Sequence, residues 1–308
     1  MHTDPIAKNL PENRLWHRLQ APAAWLRVQG EDAFDFLQGQ FTQDLRSAES
    51  SPVRYGLWLN EKGRVQADSF ALVVGRREIW LCSYFAPARA LRERLERFIV
   101  ADDVVIEDHS ADARMLTLGG AGAAEWLQAQ LGELPAPGKF AASGTGFLFR
   151  GRRDGAETWE WIGPALPSPS GSREVSQEWL EQRRIAAGIP AVPQDIGPSD
   201  LPNEGGLETA ALSYSKGCYL GQEVMARLRT GRVRRQLARV SGPGHPPADR
   251  PAPLFQGGQR VGELRSASAD ASTGWQGLAL LTLLGLDRGQ PLALAAEAAP
   301  DIRLLDAP

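Results

Sequence analysis

The chain reads as an α+β protein whose carboxy-terminal part becomes a small β-barrel, and three observations carry that reading. Short strands and helices alternate from about residue 24 to residue 188 without the regular strand–helix–strand spacing of a doubly wound sheet. The apolar periodicity switches repeatedly between two residues and three to four. Beyond residue 240 the apolar runs shorten and turn residues separate them.

Ala24 to Val28 alternates apolar and polar residues, as a half-buried strand does. Gly30 leads to Asp32, an expected helix cap, with Phe34, Leu37 and Phe41 at helical steps. Tyr55 to Leu59 is an expected strand, Asn60-Glu61-Lys62-Gly63 a turn, and Val65 to Val74 and Ile79 to Tyr84 two further strands. Ala88, Leu91, Leu95, Phe98 and Ile99 share one face of an amphipathic helix whose other face carries Arg92, Glu93 and Glu96. Strands follow at Val104 to Ile106 and Met115 to Leu118, then a helix from Ala123 to Leu131. Gly146 to Phe149 and Thr158 to Ile162 read as a strand pair. The proline- and glycine-rich Gly163 to Ser172 is an exposed connection, after which Ser172 is expected to cap a helix with Val175, Trp179, Leu180 and Ile185 that ends at Gly188. Ile189 to Leu207 has no periodicity, and an irregular stretch that long inside a domain is more often functional than idle.

Five prolines between Gly242 and Pro253 mark a change of texture. We therefore expect a body over residues 1–240, made of two α+β lobes with the second, roughly 45–110, inserted in the first, and a barrel domain over 241–308. The 308 residues carry a net charge of −3, with 43% hydrophobic and 23% charged residues. These are values of a soluble globular chain, and no global field draws it to nucleic acid or membrane. No apolar run reaches membrane-spanning length, and the amino terminus lacks a basic region leading into an apolar segment. Cys82 and Cys218 are the two cysteines, too few for a disulfide framework, so a reducing compartment, the bacterial cytoplasm, is expected.

One segment carries chemistry. Lys216-Gly217-Cys218-Tyr219-Leu220-Gly221-Gln222-Glu223, with Arg227 beyond, places a cysteine between two glycines under a lysine. The glycines permit close approach, and a thiol beside two cations at the start of a helix is easier to ionise. A buried small residue in a tight turn is the alternative reading of any lone cysteine. The four histidines, His2, His17, His109 and His245, have no motif that would make one of them the base for a nucleophilic cysteine. Two cysteines cannot hold an iron–sulfur cluster by themselves. A single exposed thiolate acting as a transient ligand or redox group, with further ligands from a partner or a small thiol, remains open. From Arg227 to Arg239 six arginines occur with no acid, either a solvated strand edge or an anion site for carboxylate or phosphate. No aromatic residues interleave them, so stacking on single-stranded nucleic acid is not signalled.

The octet and Arg227 together match K-G-C-[FYT]-x-G-Q-E-x-x-x-R and resemble the hallmark of the folate-binding YgfZ family, relatives of the glycine-cleavage T-protein and of the mitochondrial IBA57 iron–sulfur assembly factors. Phe36 to Asp44 resembles that family's F-[LM]-Q-G-Q-x-T-x-D element, and Asn60 to Asp68 is similar to the T-protein loop N-x-x-G-G-x-x-D-D. Arg184 to Gly188 is similar to R-[IL]-E-x-G, and Leu201-Pro202-Asn203-Glu204 to L-P-x-E. The resemblance spans about residues 20 to 240. It implies a T-protein-like, multi-lobed body around a central folate-type cavity, with the barrel behind it. The paired acids of the T-protein loop are reduced here to Asp68, because Ala67 replaces the first, and Ala186 replaces the acid of R-[IL]-E-x-G.

By resemblance, tetrahydrofolate or a derivative is the expected cofactor, held by Gly217, Tyr219, Gly221, Gln222, Glu223, Asp68 and Trp179. Cys218 is the expected reactive group, with Lys216 and Arg227 tuning it and no resident metal. The implied function is accessory, in iron–sulfur cluster assembly or repair with client and assembly proteins as partners. It would support cluster enzymes including tRNA-modifying ones, and it needs no classical catalytic activity. The competing expectation is a folate-dependent aminomethyl or one-carbon transferase using Asp68, and a third is an RNA-binding module resting on the arginines.

Overall fold

The structure, a computed structural model, describes residues 14–46, 51–144, 146–229, 231, 233–270 and 274–305. His2 and Arg232 lie outside the described residues. In chain order the first elements are β1 (Trp16–Gln20), β2 (Ala24–Gln29), α1 (Ala33–Gln40), β3 (Val53–Leu59), β4 (Val65–Gly75), β5 (Glu78–Ser83), α2 (Ala88–Glu96) and β6 (Val105–Asp108). There follow β7 (Arg114–Gly119), α3 (Ala123–Leu131), β8 (Phe140–Ser143), β9 (Gly146–Arg150), β10 (Thr158–Gly163), β11 (Arg173–Glu174) and α4 (Gln177–Ala186). After a 3-10 turn at Pro202–Gly205 come α5 (Glu208–Ala211), α6 (Gln222–Leu228), β12 (Arg235–Gly242), β13 (Ala252–Gln256), β14 (Gln259–Asp270), β15 (Gly274–Thr282) and β16 (Arg303–Leu304).

The strands form three sheets, ordered β11-β1-β7-β10-β9-β8, β3-β4-β5-β2-β6 and β13-β14-β15-β12-β16. In the first two sheets β1 and β11 pair parallel and the other pairs are antiparallel. These two sheets meet through Trp25, Phe70, Leu72 and Cys82 on one side and Met115, Phe140, Phe149 and Ile162 on the other. The third, curled as a half-barrel, closes over Val240, Leu254, Leu264, Trp275 and Leu281, and α4 packs on its β14 and β15. A further cluster joins the second sheet to the third: Leu57, Leu59 and Val65 from the second sheet meet Val192, Ile196, Leu207, Tyr219 and Met225, with Leu280 from the third.

One expected cap holds in position and one is replaced. Asp32 occupies the N-cap position of α1, but its side chain does not bond to the helix; its Oδ2 accepts from the Asp103 N–H at 2.8 Å. Ser176, not Ser172, caps α4, accepting from Trp179 N–H, because residues 173 and 174 pair with Trp16 and His17 as strand β11. Ser172 instead meets His17 Nδ1 at 2.7 Å, and Val175 lies outside the helix. The ladder of β12 to β15 starts at Arg235 and runs to Gly242, so the expected boundary near residue 240 falls inside a strand of the third sheet. Among the described residues no helix is long and apolar enough to cross a membrane.

Candidate functional site

The cysteine loop lies on the segment that follows α1, and backbone chemistry explains the fit. A helix end leaves carbonyls without intrahelical partners. At the end of α1 they are met by Lys216, whose Nζ donates to the carbonyls of Gln38 (2.7 Å), Phe41 (2.5 Å) and Gln43 (3.1 Å). Leu220 N–H donates to Gly39 O, and Ser213 N–H to Thr42 O. The Thr42 hydroxyl, fully buried, donates to Ala211 O at 2.6 Å and accepts from Leu57 N–H at 2.7 Å, tying both segments to β3. Lys216 is 4% exposed, and burial pushes its ammonium down to about 8 against the pull of Asp44.

The other end of the loop docks on the β3–β4 turn. Asn60 Oδ1 accepts from the N–H groups of Lys62 and Arg64, which closes the turn. Gly221 has φ +85°, and a Cβ there would stand 2.7 Å from Asn60 O. Gly63 faces it with φ +69°, and a Cβ there would stand 2.8 Å from the Met225 methyl. Two glycines thus let α6 touch the turn, while Tyr219 is buried beneath. Three separated sequence segments, residues 36–44, 60–63 and 213–225, converge on one point.

At that point Cys218 is exposed. Gly217 beside it is exposed too, with open space where its Cβ would be. The two cations expected to tune the thiol have partners of their own. Lys216 points inward because the α1 carbonyls attract it, and Arg227, with its side chain 80% exposed, faces Glu223 one helical turn away at 3.8 Å. Gln222 and Glu223 open α6, and Glu223 projects into solvent.

Asp68 belongs to a second centre, between the first two sheets. It is 4% exposed; Tyr55 Oη donates to its Oδ2 at 2.8 Å and Ser83 Oγ to its Oδ1 at 3.1 Å. Burial outweighs those bonds and pushes the carboxyl up to about 6. At the same interface, where both carboxyls bear on buried Cys82, Glu160, wholly buried, accepts from Tyr84 Oη (2.9 Å) and Thr117 Oγ1 (2.7 Å), with Arg153 at 3.5 Å. Burial raises this carboxyl as well. Phe70 and Phe149 wall the centre, and the Arg152 guanidinium lies 4.1 Å from the Tyr55 ring. Sequence reasoning missed Glu160, Tyr84 and Arg153. The signal was a glutamate between Trp159 and Trp161 in an otherwise apolar strand.

Tyr55 packs against both centres, since it touches the cluster of Phe70 and Phe149 and also that of Tyr219 and Met225. Trp179 joins neither; it meets Trp16 edge-on at 5.0 Å beside Val175 and Leu180. The arginine run is largely engaged in structure: Arg235 pairs with Glu204 and Asp200, Arg239 donates to Ala186 O, and Arg229 lies over Tyr214. A cavity of about 700 Å³ opens beside Arg64, Asn203 and Arg235, and its lining does not include Cys218, Tyr219, Asp68 or Trp179. Among the described residues no three of His, Cys, Asp and Glu group to hold a metal ion.

Residues 22–138 match the GCVT N-terminal domain family. The whole fold is similar to that of glycine cleavage system aminomethyltransferase T from Bartonella henselae, with a TM-score of 0.75 at 19% identity over 91% of this chain and 82% of that one. The fold is therefore of the GCVT class, in which a body of two sheets is backed by a curled third. The mitochondrial iron–sulfur cluster assembly factor IBA57 of Mus musculus is 30% identical over 288 residues, covering 84% of this chain and 75% of its own. The tRNA-modifying protein YgfZ of Colwellia psychrerythraea is 27% identical over 244 residues, covering 76% and 73%. The chain belongs to the IBA57/YgfZ family, as its cysteine motif indicated.

Proposed function

We propose that this protein is a folate-binding accessory factor in iron–sulfur cluster assembly or repair, supporting cluster enzymes that include tRNA-modifying ones. The observation that carries the reading is the presentation of Cys218. Three motif segments build a buried clamp whose exposed product is one thiol. A lone thiolate cannot complete a cluster site, so a client apoprotein or small thiol would supply the other ligands. Kinship with IBA57 and YgfZ supports that role. Lys216 serves as the clamp of the loop, and Arg227 as a cation on its rim.

The Asp68 centre supports folate as the cofactor. A flat pterin ring is suited by aromatic walls and by carboxyl groups that accept from its N–H donors, as Tyr55, Phe70, Phe149, Asp68 and Glu160 provide. Entry requires Arg152 to leave Tyr55, because these side chains are packed together. Titration with tetrahydrofolate while the alkylation rate of Cys218 is followed tests the reading. A saturable change in that rate is expected, and a thiol indifferent to folate would separate the two centres. In cells, Cys218→Ala should lower cluster-enzyme activity, whereas Asp68→Asn, which keeps an acceptor oxygen for the pterin, should change it little.

A folate-dependent aminomethyl transferase is the second reading, favoured by the Asp68 carboxyl at about 6, close to what proton transfer near neutrality needs. It requires turnover of tetrahydrofolate with an aminomethyl donor, abolished by Asp68→Asn. The same substitution thus separates the two readings.

A further inference from the structure

The seam between the body and the third sheet carries a charge pattern that neither centre uses. The cavity of about 700 Å³ is lined by Leu201 just before the 3-10 turn, Asn203 and Glu204 within it, Leu228 of α6, Arg234 just before β12, Arg235 at its start, and by Arg64. A second hollow of about 220 Å³ shares Arg235 and Thr282 with it and extends the cleft to Arg260 and Glu263.

Arg64 and Arg235 both donate to the Ser199 carbonyl, at 2.8 and 3.1 Å, which holds the two guanidinium groups side by side. Arg235 is compensated by Glu204 (2.7 Å) and Asp200 (3.1 Å). Arg265 is compensated by Asp200 and Glu263, and Arg260 by Glu263. Five guanidinium groups thus face three carboxylates, and the two without a carboxylate among the described residues, Arg64 and Arg234, both line the larger cavity. Asn203 also lines it, and its Oδ1 is buried with no donor among the described residues. A buried acceptor without a donor is costly, and a turn of the Asn203 amide toward the cavity would let a ligand N–H or O–H satisfy it. Leu201, Leu228 and Val233 supply an apolar wall.

We propose that this cleft binds a small organic dianion whose apolar body carries an N–H or O–H donor. Its charges would lie between Arg64 and Arg234, its donor on Asn203 Oδ1, and its body against Leu201 and Leu228. Separated guanidinium groups suit a phosphate monoester or a dicarboxylate, and the volume lies within the usual range of small-molecule pockets. The site is independent of the folate reading, since its lining includes neither Asp68 nor Cys218.

Calorimetric titration of the full chain with adenosine 5′-monophosphate, N-acetylglutamate and inorganic phosphate tests it. One of the two organic anions is expected to bind with a dissociation constant below about 1 mM, and which one binds tighter assigns the phosphate ester or the dicarboxylate. Arg234→Ala and Arg64→Ala should each weaken that ligand about tenfold. Asn203→Leu should weaken it about fivefold while changing inorganic phosphate less than about twofold. Arg89→Ala, on an exposed face of α2, should change nothing. Failure of both organic anions to bind in the millimolar range overturns the proposal. So does an Arg89→Ala effect equal to that of Arg234→Ala, or an Asn203→Leu protein with unchanged affinity.

Discussion

Lys216 and Cys218 are two residues apart, and their opposite fates come from which neighbours each side chain meets. The lysine is drawn inward by three carbonyls at and just beyond the end of α1; the cysteine has no such partner among the described residues and stays outside. Lys216→Met leaves those carbonyls without their shared donor and should destabilise the protein by about 2–4 kcal/mol in urea unfolding. Cys218→Ala, at an exposed position, should stay within about 0.5 kcal/mol of the parent. Asp68 behaves in the sense opposite to a surface carboxylate. Its folded-state value of about 6 lies above the ordinary 3.8, so the folded protein holds the proton more tightly. The resulting stabilisation is full below the unfolded value and is lost as pH rises through 6, amounting to about 1.4 kcal/mol between pH 5 and 7.5. Asp68→Asn removes that loss, so its melting temperature relative to the parent should climb from pH 5 to pH 7.5. A gap that is flat or shrinks with pH would contradict the buried, proton-holding state. The motif residues were legible from the sequence as a pattern, yet the direction of Lys216 was not, because its acceptors lie more than 170 positions away.

At the scale of elements, α6 is positioned by two glycines rather than by side-chain chemistry. Gly221→Ala would bring a Cβ against Asn60 O in a left-handed backbone conformation. It should cost about 1–3 kcal/mol and change the alkylation rate of Cys218 as α6 lifts from the turn. Gly217→Ala, with open space around it, serves as the control and should leave both quantities nearly unchanged. Strands such as β2 were readable because alternation of two is imposed wherever one face is buried, as over its residues Leu26, Arg27, Val28 and Gln29. The start of α4 was misread because Ser172 and Ser176 are equally good caps in isolation. Pairing of Trp16 with Arg173 and of His17 with Glu174 decides between them. β14 runs well past its apolar residues Val261 and Leu264 for a related reason: its polar half, Ser266 to Asp270, is held by the ladder to β15.

Across the whole molecule, the irregular stretch after α4 is a strap that fastens the body to the third sheet. Arg184, 2% exposed, pairs with Asp195 at 2.7 Å and donates to Ser266 of β14, while Ser266 donates to Asp195. Asp200 likewise receives Arg235 and Arg265 from that sheet. Removing one partner of a buried pair strands the other charge, so Asp195→Ala should lower stability by about 3–5 kcal/mol. Calorimetry should then show the third sheet melting before the body; a single unshifted transition would mean that the apolar contacts of Leu280 suffice. The sequence marked residues 189–207 as irregular and functional in character, but not what they fasten.

Patterning along the chain settled the α+β class, the order of strands and helices, the presence of a loop built around Cys218 and the family to which it belongs. Those properties are local: period, turn chemistry and a run of rare residue types are all written in consecutive positions. Folding alone decided that Lys216 supports the loop from below, that Glu160 and Asp68 are buried at one sheet interface, and that Arg64 and Arg234 share a cleft. Each of these joins groups far apart in the chain, and partners of that kind are chosen by packing, burial and charge in three dimensions.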